Sequence, residues 1–132
     1  MGPQAPWDVI IVGAGPAGAT AATLLAPHVR VLVLEKSPFP RFHIGEALLP
    51  AGLEIYDRLG LIPDKETFLF KRGADFICED SGRHAAFEFG EAMPGPARSA
   101  WHVDRARFDT RLRDRAVAAG ATVRHGEKVV DL

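Results

Sequence analysis

The sequence predicts an α/β fold that is built on a βαβ unit with a parallel sheet. Residues 7–12 and 29–34 are short apolar runs rich in β-branched side chains, as buried strands are. Residues 16–26 lie between them, consist mostly of small residues and end before Pro27, which favours a helix. Two buried strands joined by one helix predict parallel pairing with a right-handed crossover.

The second half of the chain predicts an antiparallel hairpin and two more helices. Residues 48–59 carry apolar side chains at helical spacing and are followed by Gly60, which is typical of a helix end. Residues 74–78 and 85–89 predict two strands with turn residues between them. The remaining predicted elements are a strand over 68–70, a helix over 104–119 that Asp104 caps, and strands over 122–125 and 128–132.

Composition restricts the classes of function. The chain has 132 residues, a formal net charge of -1 and no basic tract, so nucleic acid is not expected as a partner. The arginines of residues 105–115 alternate with aspartates, which favours a solvated helix face. Cys78 is the only cysteine, so no internal disulfide is possible and a cytoplasmic location is expected. We expect Cys78 to be a small, buried, apolar residue. No membrane span and no metal site are predicted.

The strongest motif is a glycine-rich turn between the first strand and the first helix. Its residues are Gly13, Ala14, Gly15, Pro16, Ala17 and Gly18. Gly13 permits a tight turn, Gly15 allows a pyrophosphate to approach the backbone, and Gly18 lets helix and strand pack closely. The pyrophosphate would lie at the helix N-terminus, where N–H groups are free. The alternative is a tight strand–helix turn without a ligand.

An acidic residue ends the second strand. Glu35 stands about 20 residues after the glycines, the spacing of a carboxylate that accepts hydrogen bonds from a ribose. A glutamate there favours a free 2′-hydroxyl over a 2′-phosphate, because two anions repel each other. Lys36 follows and is expected along the adenine or ribose edge.

Two further segments carry a resemblance to a known family. Residues 39–50 read Phe-Pro-Arg-Phe-His-Ile-Gly-Glu-Ala-Leu-Leu-Pro, and residues 101–109 read Trp-His-Val-Asp-Arg-Ala-Arg-Phe-Asp. Together with the glycine turn, they resemble the flavin-dependent halogenases and their monooxygenase relatives, the para-hydroxybenzoate-hydroxylase-like superfamily. The resemblance implies FAD as cofactor and a Rossmann-like FAD-binding domain with three-layer packing. We expect residues 1–132 to be a single, incomplete N-terminal part of that domain, since the chain stops within an apolar run.

The resemblance also adds candidate cofactor residues. Arg41 and Arg105 would neutralise the pyrophosphate or hold the flavin side, and Gly45 would let the backbone approach the cofactor. Glu46 belongs to the same motif, and Val129 would meet the adenine through its backbone. Simpler interpretations stay open: a surface cation for Arg105, a backbone-bonded loop residue for Arg41, a first-turn charge for Glu46 and a core strand residue for Val129.

Lys71 is the candidate catalytic residue. In the halogenases a lysine at the matching position hydrogen-bonds to hypohalous acid or forms a haloamine, and it then delivers the halogen to the substrate. Such an amine would need burial, and the apolar residues 68–70 precede Lys71. The alternative is a solvated lysine at a strand end.

Several functions agree with these residues. The first is a flavin-dependent halogenase that uses reduced FAD, O2 and halide on an electron-rich aromatic substrate, with a separate flavin reductase as partner. The second is a single-component NAD(P)H-dependent aromatic hydroxylase, and the third an isoprenoid reductase of the same fold. A fourth is a truncated FAD-binding fragment without activity.

Overall fold

The computed structural model of the chain describes residues 6–61, 64–92 and 99–131, which form two compact units. Unit 1 is Met1–His43 with Arg105–Leu132, and unit 2 is Ile44–Asp104. The elements in chain order are β1 (Val9–Val12), α1 (Pro16–Leu25), β2 (Val31–Glu35), β3 (Ala47–Leu48), α2 (Pro50–Arg58), β4 (Leu69–Lys71), β5 (Gly73–Cys78), β6 (Arg83–Glu88), α3 (Phe89–Ala92), β7 (Ala100–His102), α4 (Arg105–Ala118) and β8 (Thr122–His125).

Unit 1 contains the predicted βαβ unit and its parallel sheet. The strand order is β1-β2-β8, and both pairings are parallel. Ala22 of α1, Val33 of β2 and Ala116 of α4 are fully buried in one core cluster, so both helices pack on the same sheet face. On the other face Ile10 and Val12 are each 56% exposed. The described residues of unit 1 therefore provide two of the three predicted layers.

Unit 2 is antiparallel. Strands β3, β7 and β4 form one sheet, with β7 in the middle, and β5 pairs with β6 in the predicted hairpin. Gly82 turns the hairpin at a φ of 64°, a left-handed conformation that glycine adopts without strain. Cys78, predicted to be buried, is exposed, because the end of this hairpin is solvated: the last four residues of β5 and all six of β6 are exposed. The hydroxyl of Ser81 hydrogen-bonds its thiol and lowers the pKa of Cys78.

Several predicted boundaries shift, and one predicted strand does not form among the described residues. The helix expected over 48–59 begins at Pro50, because proline suits the first helical position. Leu48 lies in β3 instead and pairs with Trp101 of β7. Phe89 begins α3 and does not end a strand. Residues 128–131 form no strand, since no described neighbour supplies a hydrogen-bonded ladder. Leu132, the last residue of the strand expected over 128–132, lies outside the described residues.

None of the helices within the described ranges combines the length and apolar character that crossing a bilayer requires. Among the same residues, no group of three or more His, Cys, Asp or Glu side chains converges on a point that could hold a metal ion.

Candidate functional site

A cleft of about 570 Å³ opens in unit 1 where β1, β2 and β8 end. In a parallel sheet, ligands bind outside the carboxyl ends of the strands, and this cleft has that position. The predicted cofactor residues that line it are Gly13, Gly15, Glu35, Lys36, Arg41 and Val129. Gly13 and Val129, which are more than 100 positions apart in sequence, therefore line the same cleft.

The glycine turn has the geometry that its motif predicts. Gly13 has a φ of 97°, and its N–H donates to the carbonyl oxygen of Leu34 over 2.8 Å, which ties the turn to β2. A side chain on Gly18 would run into the carbonyl oxygen of Gly13, so only glycine allows α1 to lie this close. A Cβ on Gly15 would lie 3.6 Å from Arg41 Nη2 and would fill the space beside the turn.

The N-terminus of α1 faces this turn and lacks a capping side chain. Gly15 is the N-cap residue, no side-chain hydrogen bond caps the helix, and the first turn contains no acidic residue. Pro16 opens the helix and has no N–H to satisfy. The first turn thus offers N–H groups and the positive end of the helix dipole to an anion. This arrangement fits a diphosphate.

Glu35 is the acidic residue of the cleft and is only 4% exposed. Its Oε2 accepts a hydrogen bond from the N–H of Ala14 over 2.8 Å, and its Oε1 accepts one from the N–H of Ser37 over 2.9 Å. Burial opposes ionisation, but these two bonds and the positive charge of Arg41 outweigh it. The pKa of Glu35 therefore lies below its ordinary value of 4.5. Each oxygen keeps a lone pair for a hydroxyl group.

Replacing the carboxylate should make stability depend on pH. Because the folded pKa of Glu35 is lowered, its contribution is complete above about pH 4.5 and is lost as pH falls through the folded value. We expect Glu35→Gln to lower the free energy of unfolding by about 1–3 kcal/mol at pH 7. The difference should shrink below pH 4.5 in urea titrations. Glu127→Gln, exposed in the same unit, is the control. A pH-independent difference would contradict this account.

The two predicted arginines meet one carboxylate. Arg105 forms a fork with Asp109, one turn later on α4, with Nε–Oδ1 at 2.8 Å and Nη2–Oδ2 at 3.0 Å. Arg41 Nη1 lies 3.5 Å from the same Oδ2. Arg105 and Asp109 are 8% and 0% exposed, so the prediction of a solvated face is wrong for them. They point to the side of α4 that also buries Phe108.

Asp109 and His125 were not predicted as site residues. The signal for Asp109 was its position four residues after Arg105, the spacing of a helical ion pair. His125 Nδ1 lies 3.0 Å from the carbonyl oxygen of Ser37, and its Nε2 lies 3.0 Å from Arg113 Nη1. Since an arginine only donates and a carbonyl only accepts, this pairing requires neutral His125 with its proton on Nδ1. The histidine thereby fixes the loop that follows Glu35.

Three predicted residues belong to unit 2. Gly45 has a φ of 101°, which requires glycine, and its N–H donates to Glu46 Oε2 over 3.1 Å. Glu46 precedes β3, so it does not charge the first turn of α2, which begins at Pro50. Lys71 ends β4 opposite Ala100 of β7 and is half-buried. Leu69 beside it is 71% exposed, so the expected apolar enclosure is incomplete within this unit.

Unit 1 has the features that define the class of dinucleotide-binding α/β proteins. They are a parallel βαβ unit with a glycine turn, an uncapped helix N-terminus and a buried acid at the end of β2. Within that class, residues 8–99 match the family model described as tryptophan halogenase. The chain belongs to this family of flavin-dependent halogenases.

Individual relatives agree with the family. The chain is 36% identical to a 1H-pyrrole-2-carbonyl-[peptidyl-carrier protein] chlorinase of Pseudomonas fluorescens, over 96% of this chain and 32% of that protein. It is 38% identical to a tryptophan 2-halogenase of Chondromyces crocatus, over 89% and 22%. The solved structure of a myxobacterial FAD-dependent chondrochloren halogenase superposes with a TM-score of 0.82 at 37% identity, over 96% and 30%. The chain thus spans a third or less of these relatives.

Proposed function

We propose that this chain binds FAD in the cleft of unit 1 and serves a flavin-dependent halogenase that acts on an electron-rich aromatic small molecule. The observation that carries the cofactor assignment is the buried Glu35 carboxylate beside the uncapped α1 N-terminus. The halogenation assignment is supported by the family model and by relatives named halogenases, which do not favour the hydroxylase or the isoprenoid reductase. Residues 1–132 are then the N-terminal part of an FAD-binding domain.

The cleft supports a specific arrangement of the adenosine diphosphate half of FAD. Glu35 accepts the ribose hydroxyls through the lone pairs that its two backbone hydrogen bonds leave. The N–H groups of Ala17 and Gly18 donate to the diphosphate, and Arg41 Nη2 lies near Gly15 of the same turn. Lys36 and Val129 line the cleft and are assigned to the adenine. A buried carboxylate would repel a 2′-phosphate, so an unphosphorylated ribose is favoured.

The remaining predicted residues act at the flavin side and in halogen transfer. Gly45, Glu46 and Arg105 are assigned to the flavin side by resemblance to the family. When bound, reduced FAD would supply two electrons to O2, so that halide could be oxidised to hypohalous acid with release of water. Lys71 then either hydrogen-bonds hypohalous acid through Nζ or forms a haloamine with loss of water. The halogen passes to the aromatic ring, and the ring proton leaves with hydroxide as water or returns to the amine. A separate reductase supplies the reduced flavin.

Mixing experiments with the full reading frame that contains this chain test the proposal. We expect bound FAD to show its oxidised absorbance and to stay oxidised when mixed anaerobically with NADH or NADPH. Adding a flavin reductase with halide, O2 and an aromatic substrate should then yield a halogenated product. Rapid bleaching by NAD(P)H alone would favour a single-component hydroxylase or reductase. Absence of FAD binding would refute the cofactor assignment itself.

A further inference from the structure

A buried charge cluster in unit 1 adjoins the cleft through Arg41, which lines it. The side chain of Asp109 is 1% exposed, and burying a carboxylate so completely is costly unless cations and hydrogen bonds compensate it. Arg105 supplies two short hydrogen bonds from the same helix. Since this fork already pairs Asp109 with one cation, the nearby Arg41 is a second cation at the same carboxylate. Its presence calls for another explanation.

Arg41 is held between two carboxylates without a hydrogen bond to either. Its Nη1 lies 3.5 Å from Asp109 Oδ2, and its Nε lies 3.9 Å from Glu35 Oε1. Nη1 is buried, and it has no hydrogen-bond partner among the residues that the structure describes. Nη2 points to the glycine turn, 3.6 Å from where a Cβ of Gly15 would lie. The guanidinium lies over the ring of Phe39, 4.9 Å from its centroid, with one nitrogen toward Asp109 and another toward the expected diphosphate position.

We propose that Asp109 is a positioning residue that holds Arg41 at the glycine turn, so that Arg41 meets the diphosphate of the cofactor. The proposal rests on the proposed function. Asp109 is too deeply buried to contact the ligand, so it acts through Arg41. Without this carboxylate the Nη1 end of the guanidinium would lose its anchor, and Nη2 would no longer be held at the glycine turn. Asp109 thus orients Arg41 toward the diphosphate and leaves the ribose site unchanged.

Binding of ADP and of adenosine to the apoprotein of the full reading frame separates this role from a general structural one. We expect Asp109→Asn to weaken ADP binding about tenfold and to leave adenosine binding within about twofold. Arg41→Gln should weaken ADP binding similarly, and the double variant should be no weaker than Arg41→Gln alone, since both changes remove one interaction. The salt dependence of ADP affinity should fall equally in all three. Calorimetric titration measures each value.

Asp114→Asn is the matched control, because Asp114 lies on the same helix but its side chain is 62% exposed. If Asp109→Asn does not fold, the two single variants and the double variant are made again in an Arg105→Gln background. In that background Asp109→Asn leaves no buried arginine without its partner. Arg41→Gln should then weaken ADP binding only while Asp109 is present. Additive losses, or equal losses for ADP and adenosine, would overturn the positioning role and leave the proposed function intact. A wild-type protein that binds neither ADP nor FAD would instead overturn the proposed function.

Discussion

Lys71→Ala is expected to lower the rate of aromatic halogenation by about 10²–10⁴-fold, the usual range for losing a positioned proton donor or nucleophile. The variant should bind FAD as the wild type does, because Lys71 is assigned to halogen transfer and not to the cofactor. The measurement is product formation with excess flavin reductase, together with the oxidation rate of the reduced flavin, which should be unchanged.

Two variants sharpen the Lys71 test. Lys65→Ala removes a cation that lies 5.2 Å above the ring of Phe70, in the same unit, and should leave halogenation unaffected. Lys71→Arg keeps the positive charge but cannot supply a neutral amine, so it should be nearly as inactive as Lys71→Ala. Full activity in Lys71→Ala would assign Lys71 to the solvated strand end and would remove the catalytic role.

Local rules predicted the βαβ unit well. Residues 16–26 were expected to be helical, and α1 spans Pro16–Leu25, because glycine, proline and small side chains fix its start and its close packing. The same rules placed Glu35 at the end of β2. Each of these features depends on neighbours within about 25 residues, so periodicity and turn chemistry contain enough information.

Features that depend on distant partners were not predictable in this way. Residues 128–132 have strand propensity, but a strand also needs a neighbouring ladder, and residues 128–131 have none among the described residues. Asp109 belongs to a charge-rich helix that suggests solvation. Only its meeting with Arg41, 68 positions earlier, shows that this carboxylate belongs to the site. The mixture of charges on α4 does not reveal which side is buried.

Gly18→Ala is expected to destabilise the protein by about 3 kcal/mol, although alanine is the better helix former. The reason is the contact between α1 and the turn: the new Cβ would overlap the carbonyl oxygen of Gly13 and also approach Ile11 Cγ2 to 3.2 Å. Relief requires α1 to move away from β1, which also displaces the N–H groups proposed to bind the diphosphate. FAD affinity should therefore fall together with the urea midpoint.

Gly52→Ala is the matched control for this effect. Gly52 also lies near the start of a helix, α2, but its added Cβ would meet only Tyr56 Cε2 at 3.5 Å, an ordinary contact. There the helix propensity should decide, and the variant should gain up to about 1 kcal/mol. The same substitution thus has opposite expected signs in two helices, and urea titrations of both variants compare them directly. If Gly18→Ala were as stable as the wild type, the glycine turn could not be as tightly packed against α1 as the structure has it, and the diphosphate site would need another geometry.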